Sequence, residues 1–436
     1  MSERSSSEIQ FDETRAEAVP PGLKSAICRA TSQLCAERCG GMLRAIVLTG
    51  SLAREEATFV RQGQRWGLWG DAEFLLVFDQ EGVLPSSSII DRLEREIERH
   101  VLQGGLSAHV ELGPVHTGYL RTMPPEIFAY ELRTRGQVVW GERQILSLIP
   151  AFSPFDIPLE DGWRILCNRV VEFIEVIDPV VEKPVDPPPE GRYRMMKLYL
   201  DMATSFLLFQ GAYAPTYRER AERLRALAED TEANRSCPFP LRDFAQRVVY
   251  CTKFKLQAGD GVDAQAAEEG LEGMFSWAEL VAYARGLWRW ELEQLTGEQD
   301  QISDRELMRT WMQLQPLQKR LRGWAYVLRA SGWHRSWRHW PHWVRLGWRA
   351  SPRYWVYAAA SELFFKLNDL LALAQEPRSD GVDIHELRSW LPLLEGSRES
   401  GVGSRKDATS FPQGAWQRLA AEIAWNYREF LEGTRA

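Results

Sequence analysis

The hydrophobic period of the chain changes once, near Ile157, and this change limits the architectures open to it. Before that residue, short apolar runs alternate with amphipathic stretches, a pattern typical of strands and helices that share one sheet. After it, apolar residues recur at helical spacing over long segments. A chain of 436 residues can form two or three domains. We therefore expect an α+β fold: a mixed β-sheet with flanking helices in residues 1–156, and an all-α domain in residues 157–436.

Three apolar runs of the first domain are predicted to be strands: Leu43–Thr49, Phe74–Phe78 and Ser107–Leu112. One helix is predicted to run from the Pro-Pro-Gly motif at residue 20 to about Cys39, where two glycines end it. A second helix is predicted over Ser86–Leu102, between the second and third strands. The residues with chemical potential lie on these three strands.

The second domain is predicted to consist of long helices. The clearest periodic segments are Leu159–Ile177, Tyr193–Gln210, Leu241–Leu256 and Phe275–Leu295. The proline-rich interval Asp178–Pro189 interrupts the helices, and the Ser/Gly-rich loop Gly396–Gly414 precedes a last helix.

A Gly-Ser pair ends the first predicted strand, and an Asp-x-Glu motif begins the second. Asp71 and Glu73 are two residues apart, so on a strand they project from the same face. Two adjacent carboxylates are costly unless a cation neutralises them, as Mg²⁺ (or Mn²⁺) with a triphosphate would. Gly50 lets the backbone approach a phosphate, and Ser51 offers a hydroxyl and the start of a helix. The alternative is an acidic pair on the surface of an α/β domain.

A third carboxylate is needed to complete a metal clamp and to take the proton from an attacking hydroxyl. Glu111 is the candidate, because it lies on the third predicted strand, where it could approach the Asp-x-Glu pair. Asp79 is the alternative, although it sits at the far end of the second strand. A partly exposed strand carboxylate without a function is the other interpretation of Glu111.

These motifs, in this order, resemble the polymerase-beta-like nucleotidyltransferase superfamily, whose pattern is apolar-Gly-Ser, then Asp-x-Asp or Asp-x-Glu, then a third acid. The resemblance covers about Leu43–Gly141. It is greatest to bacterial enzymes of the kanamycin nucleotidyltransferase type, which add a helical C-terminal domain. Tyr130–Gly141 is similar to their closing segment, a helix, a Gly turn and a short strand ending in Gly.

The resemblance implies transfer of a nucleoside monophosphate from a nucleoside triphosphate to an acceptor hydroxyl, with release of pyrophosphate. It implies that Asp71, Glu73 and Glu111 hold the metal and act in catalysis. Family members often send a cation from the helical domain onto the triphosphate, which makes Lys197 the first choice and Arg194 the second. A small-molecule acceptor is favoured. The alternatives are nucleotide addition to RNA or protein, and a non-catalytic module that binds a nucleotide or a partner.

Two departures from the family pattern lie just after the Gly-Ser pair. Many members have Arg-Gly there, whereas here Arg54 is followed by Glu55 and Glu56, which add negative charge near the expected phosphate site. The interval between Ser51 and Asp71 holds 19 residues, which suggests an inserted loop.

Charge is distributed unevenly along the chain. The net charge is −7, which argues against a protein covered in nucleic acid. Residues 307–361, however, contain ten Lys and Arg, eight Trp and neither Asp nor Glu. This Arg/Trp segment could be an ordinary helical core with a solvated basic face, a site for an anionic acceptor or nucleic acid, or a contact with an anionic membrane surface.

Six scattered cysteines form no Cys-x-x-Cys pair, and none has the spacing of a zinc site. No apolar run reaches the roughly 20 residues of a membrane-spanning helix. A reduced cytoplasmic protein without a transmembrane segment is therefore expected.

Overall fold

A computed structural model describes residues 22–175, 189–257, 276–298, 302–331, 339–372, 383–393 and 415–432. The chain divides into two compact units, Met1–Phe152 with Thr252–Gly270, and Ser153–Cys251 with Leu271–Ala436. The expected combination of a small sheet with many helices is confirmed. The Ser/Gly-rich loop, and the proline-rich interval apart from Pro189, lie outside the described residues.

The first unit contains one five-stranded sheet and short to medium helices. Its strands are β1 (Leu43–Leu48), β2 (Thr58–Gln62), β3 (Arg65–Phe78), β4 (Leu106–His116) and β5 (Gln137–Gly141). Its helices are α1 (Leu23–Cys39), α2 (Gly50–Ala53), α3 (Ser87–Gln103), α4 (Thr117–Arg121) and α5 (Ile127–Arg135).

The 14-residue strand β3 organises the sheet. Its first part pairs with β2 and its last part with β1, both antiparallel. Along its other edge it pairs with β4 in parallel. β5 adds to the free edge of β1 in an antiparallel sense. The sheet is therefore mixed, and every strand with a predicted functional residue contacts β3.

The interval after the Gly-Ser pair is not the inserted loop that its length suggested. It forms a β-hairpin, in which β2 turns at Gly63 (φ +62°) into the first part of β3. The Asp-x-Glu motif consequently lies in the middle of a long strand, not at its start. Between Gly67 and Asp71 the register with β4 shifts by a bulge that contains Gly70 (φ +128°). Bulges re-aim the side chains that follow them, and this one comes directly before Asp71.

Strand alternation divides the apolar residues of the sheet into two cores. Phe74, Leu76 and Phe78 face one core, which α1 and α3 cover. Leu75 and Val77 face the other, which α4 and α5 cover. The sheet is thus the middle of three layers. Asp71 and Glu73 have the same parity as Leu75 and Val77, so they belong to the face that α5 covers.

The second unit is helical throughout its described ranges. Its helices are α6 (Leu159–Glu175), α7 (Pro189–Phe209), α8 (Tyr217–Glu229), α9 (Thr231–Ser236), α10 (Leu241–Gln257, whose last turn belongs to the first unit), α11 (Trp277–Thr296), α12 (Asp304–Leu314), α13 (Leu317–Ser331), α14 (Trp340–Gly347), α15 (Pro352–Ala372), α16 (Ile384–Arg388) and α17 (Ala415–Glu432). Side chains that accept N-terminal N–H groups begin several of them: Ser303 forms a capping box with Glu306, and Thr216 and Ser276 are N-caps. Among the described residues, no helix is long and apolar enough to cross a membrane.

Candidate functional site

The Gly-Ser turn at the end of β1 lies directly against Glu73. Thr49 N–H donates to the carbonyl of Glu73 at 2.9 Å, which extends the pairing of β1 with β3 by one residue. Gly50 has a φ of +67°, and a Cβ atom built on it would lie 2.9 Å from Glu73 Oε2. Glycine is therefore favoured at this position for two reasons: the backbone has a positive φ, and a carboxylate approaches the space that a Cβ atom would occupy.

The helix that begins at Gly50 is shorter than the sequence suggested. α2 comprises four residues, a single turn. The dipole of a full helix arises from many aligned peptide groups, so one turn contributes little to anion binding. If Gly50 and Ser51 bind a triphosphate, they do so through local N–H groups and the Ser51 hydroxyl.

The three predicted metal ligands occupy neighbouring positions on β3 and β4. Asp71 pairs with His109, and Glu73 pairs with Glu111, in the parallel register of the two strands. Because paired residues of adjacent strands point to the same face, the carboxylate positions form one group. The expectation that a neighbouring strand carries Glu111 to the Asp-x-Glu pair therefore matches the observed register. All three side chains are half-buried.

His109 is a fourth polar residue of this group, and no function was predicted for it from the sequence. Its Nδ1 lies 2.7 Å from Glu98 Oε1 of α3. Burial, the largest single effect, lowers the pKa of His109, and the hydrogen bond with Glu98 opposes that shift. The negative charges of Asp71 and Glu111 act in the same direction, so the pKa of His109 lies above its usual value. The signal in the sequence was the two-residue spacing from Glu111, which puts both residues on one strand face.

Carboxylates of α3 also bind the outer edge of β4. Val110 N–H donates to Glu98 Oε1 at 3.1 Å, and Leu112 N–H donates to Glu94 Oε1 at 2.8 Å. Burial raises the pKa of Glu94, partly offset by the bond from Leu112, and the nearby charge of Glu111 raises it further. These contacts fix β4 against the helix and so hold Glu111 in register with Glu73.

The donor set suits Mg²⁺ or Mn²⁺, because hard divalent cations prefer carboxylate oxygens. Within the described residues, however, no three His, Cys, Asp or Glu side chains are grouped closely enough to hold a metal ion. The backbone positions of Asp71, Glu73 and Glu111 are thus adjacent, while their carboxylates do not converge.

The acids that follow the Gly-Ser pair are held by cations. Arg54 forms ion pairs with Glu56, at 3.3 Å, and with Glu131 of α5. All three side chains are largely buried, and Glu56 is 4% exposed. Glu55 is exposed, has a φ of +59°, and pairs with Lys24. Arg54 is accordingly part of a structural network, and the charge of Glu56 is compensated within it.

Asp79 does not belong to the group on β3 and β4. It follows the last residue of β3, about 26 Å along the strand from Asp71. Its carboxylate accepts from Arg44 Nη1 at 3.1 Å. Of the two sequence candidates for a third carboxylate, only Glu111 lies beside the motif.

Lys197 and Arg194 lie on α7 of the second unit, and both are half-buried. The Nζ atom of Lys197 lies over the ring of Tyr193, 5.1 Å from its centroid. Asp201, one turn further along, accepts from Arg169 Nε of α6. The acid four residues after Lys197 thus has a cation from another helix beside it.

Of the six tryptophans of the Arg/Trp segment that the structure describes, four belong to the helical core. These are Trp311, Trp324, Trp343 and Trp355, whereas Trp340 and Trp348 are exposed. Trp324 Nε1 donates to the carbonyl of Ala350 at 2.8 Å, and Trp343 Nε1 donates to the carbonyl of Pro392 at 2.7 Å. For most of these rings, packing accounts for the enrichment in tryptophan.

Several cations of the same segment bind protein groups. Arg320 donates to three main-chain carbonyls, those of Gln313, Gln315 and Trp348. Lys319 Nζ pairs with Glu160 at 2.7 Å. Arg345 donates to the carbonyl of Ser389 at 3.2 Å. Arg335 and Arg338 of this segment lie outside the described residues.

No protein-family model matches the chain, and no curated protein sequence matches it. The resemblance to nucleotidyltransferases thus depends on the sequence motifs alone.

Replacement of Gly50 by alanine tests the contact with Glu73. A positive φ costs a non-glycine residue about 1 kcal/mol, so stability should fall modestly. The added Cβ should also displace the Glu73 carboxylate and weaken Mg²⁺-dependent binding of a nucleoside triphosphate, as measured by calorimetry. Gly63→Ala is the matched control, because Gly63 has a φ of +62° and open space around it. Equal triphosphate affinity in the two variants would contradict the assignment of Glu73.

Proposed function

We propose that the first unit is a Mg²⁺-dependent nucleotidyltransferase, which moves a nucleoside monophosphate from a nucleoside triphosphate to an acceptor hydroxyl. The observation that supports this most is the register of β3 and β4, in which Glu73 pairs with Glu111 and Asp71 precedes them on the same face. The Gly50-Ser51 turn lies against Glu73. We propose that this turn binds the triphosphate next to the carboxylates.

In the proposed reaction, Asp71 and Glu73 would hold the metal ion. Mg²⁺ bound there would neutralise charge on the phosphates and stabilise the transition state. Gly50 N–H and the Ser51 hydroxyl orient the triphosphate. Glu111 accepts the proton of the acceptor hydroxyl. The acceptor oxygen forms a bond to the α-phosphorus as the bond from that phosphorus to the pyrophosphate oxygen breaks, and pyrophosphate leaves.

A small molecule is the acceptor we propose, and addition to RNA or protein is the alternative. Lys197 and Arg194 are proposed as cations for the triphosphate, on the resemblance to enzymes with a helical C-terminal domain. The hydrogen bonds of Arg320 and Arg345 to main-chain carbonyls argue against a fully available Arg/Trp surface for a polyanion or a membrane.

Calorimetry with each nucleoside triphosphate, with and without Mg²⁺, tests the proposal. In Asp71→Asn with Glu73→Gln, we expect triphosphate affinity to fall more than tenfold and to lose its dependence on Mg²⁺, since the amides cannot ligate the metal as anions do. The control is Asp91→Asn with Glu96→Gln, which removes the same two charges from α3. Unchanged affinity and Mg²⁺ dependence in the first variant would refute the site.

A non-catalytic nucleotide-binding module is the second candidate. It is favoured by one observation, the lack of convergence of the three carboxylates within the described residues. The two candidates differ in one measurement. Mg²⁺-dependent binding of triphosphate without any release of pyrophosphate, across a panel of hydroxyl acceptors, would select the module over the enzyme.

A further inference from the structure

A cleft of about 440 Å³ opens in the second unit, among the first turns of α6, the middle of α13 and the start of α15. Its volume is in the range of sites that hold a small organic molecule. The lining residues are Glu160, Arg164, Lys319, Arg322, Gly323, Tyr326, Ser351, Pro352, Arg353 and Tyr354. Four of them are cations and one is an acid, so the cleft carries an excess of positive charge.

The single carboxylate of the cleft is already engaged. Glu160 accepts from Lys319 Nζ at 2.7 Å and from the hydroxyl of Tyr354. Burial raises the pKa of Tyr354, and the charge of Glu160 raises it further, so the phenol stays protonated and donates. Glu160 therefore has little capacity left to neutralise the other cations of the cleft.

Arg164 pairs with Asp161 at 3.4 Å, so Arg322 and Arg353 are the cations that remain. Across the described parts of the chain, neither guanidinium forms an ion pair or a hydrogen bond, and the charge of Arg353 acts on the buried hydroxyls of Tyr357 and Tyr427. Arg322 is exposed and Arg353 is half-buried. Guanidinium groups bind phosphate oxygens in bidentate geometry, which makes two such groups in one cleft a fitting pair of ligands.

A close contact between helices brings the two arginines into the same cleft. A Cβ atom on Gly323 would lie 2.8 Å from Pro352 Cδ, so α13 touches the start of α15 at this point. Arg322 and Arg353 each lie one residue from the contact, on opposite walls. The first turn of α15, a helix of 21 residues, adds a positive helix end to the charge of the arginines.

We propose that this cleft binds a small phosphate ester, with its phosphate between Arg322 and Arg353 and its organic part against Tyr326. The proposal is independent of nucleotide transfer in the first unit. A cleft of this size suits one small molecule, whereas a nucleic acid needs an extended cationic track. A phospholipid surface is disfavoured, because the exposed Leu317 and Leu321 lie on the side of α13 opposite the cleft.

Calorimetry with phenyl phosphate, in the presence of a chelator so that no metal site contributes, tests the proposal. We expect saturable binding that weakens with added salt. In Arg322→Ala with Arg353→Ala, affinity should fall about tenfold or more, since two charge-assisted contacts are lost. Arg349→Ala is the matched control: Arg349 is an exposed cation of the same segment that does not line the cleft, and its loss should change affinity less than about twofold.

Three outcomes would overturn the proposal: no binding of phenyl phosphate, an equal loss of affinity in Arg349→Ala, or tighter binding of a single-stranded oligonucleotide or phosphatidylserine vesicles that the double variant abolishes. If the alanine variant fails to fold by circular dichroism, Arg322→Lys with Arg353→Lys replaces it. That variant keeps the charge and loses the bidentate geometry, so it should still bind phenyl phosphate more weakly than the unaltered protein does. The Asp71→Asn, Glu73→Gln variant should bind phenyl phosphate normally, which separates this proposal from the proposed transfer.

Discussion

Replacement of Glu111 by glutamine is expected to lower the rate of nucleotide transfer by about two orders of magnitude and to leave triphosphate binding nearly intact. A general base contributes about a hundredfold or more, and an amide cannot take a proton from the attacking hydroxyl. The register explains the choice of residue, because Glu111 pairs with Glu73 while Asp79 lies beyond the end of β3. Pyrophosphate release, with water or an added hydroxyl compound as the acceptor, is the measurement.

Glu96→Gln serves as the control for this variant, since Glu96 is a carboxylate on α3 whose partner is the exposed Arg38. Glu96→Gln should release pyrophosphate at the same rate as the unaltered protein. An undiminished rate of nucleotide transfer in Glu111→Gln would show that Glu111 is not the general base. Loss of triphosphate binding together with transfer would instead make Glu111 a metal ligand first and a base only second.

Local patterns in the sequence predicted much of the first unit. The helix, Gly turn and short strand of Tyr130–Gly141 are those of the family segment that it resembles. From local patterns alone, the apolar run before Gly50 predicted β1 to within one residue, and two glycines predicted the end of α1 at Cys39. These elements depend on alternation of apolar residues and on glycine stop signals, both of which act over a few neighbouring residues. A two-residue period was likewise enough to put Asp71 and Glu73 on one face.

Features that depend on which segments pair or pack together were not predicted. The hairpin of β2 with β3 depends on cross-strand pairs such as Phe59 with Leu68, which the sequence does not mark as partners. The compensation of Glu56 required a buried arginine next to it and Glu131 from α5. Likewise, the cleft on α13 exists because Gly323 permits close contact with Pro352. A lone glycine in a helix does not predict such a contact from the sequence.

The helical unit contains a buried acid whose titration should control its stability. Glu291 on α11 has no exposed surface, and its carboxyl accepts from the Ser205 hydroxyl. Its Oε2 atom has no hydrogen-bond partner. Burial raises the pKa of Glu291 from 4.5 to about 8, although the bond from Ser205 opposes the shift. The folded protein therefore holds a proton on Glu291 at neutral pH that the unfolded chain releases.

The sign of the pH dependence follows from this difference. The contribution of protonated Glu291 to the free energy of unfolding is fully present below the unfolded pKa of 4.5 and is lost as pH rises towards about 8. The reason is that only the unfolded state gains the free energy of ionisation over that range. At 1.36 kcal/mol per unit, the loss amounts to a few kcal/mol. Glu291→Gln, which cannot ionise, should be more stable than the unaltered protein at pH 8.5 by about that amount and similar to it at pH 5.

Urea unfolding of the helical unit, followed by circular dichroism between pH 5 and pH 9, measures the effect. Glu293→Gln is the matched control: Glu293 lies two residues further along α11, is partly exposed and pairs with Arg289, so its replacement should leave the pH profile unchanged. A profile of Glu291→Gln that runs parallel to that of the unaltered protein would mean that Glu291 ionises in the fold without penalty. Such a result would require water or a rearranged donor at the Oε2 atom, because a buried carboxylate cannot otherwise keep its charge at so small a cost.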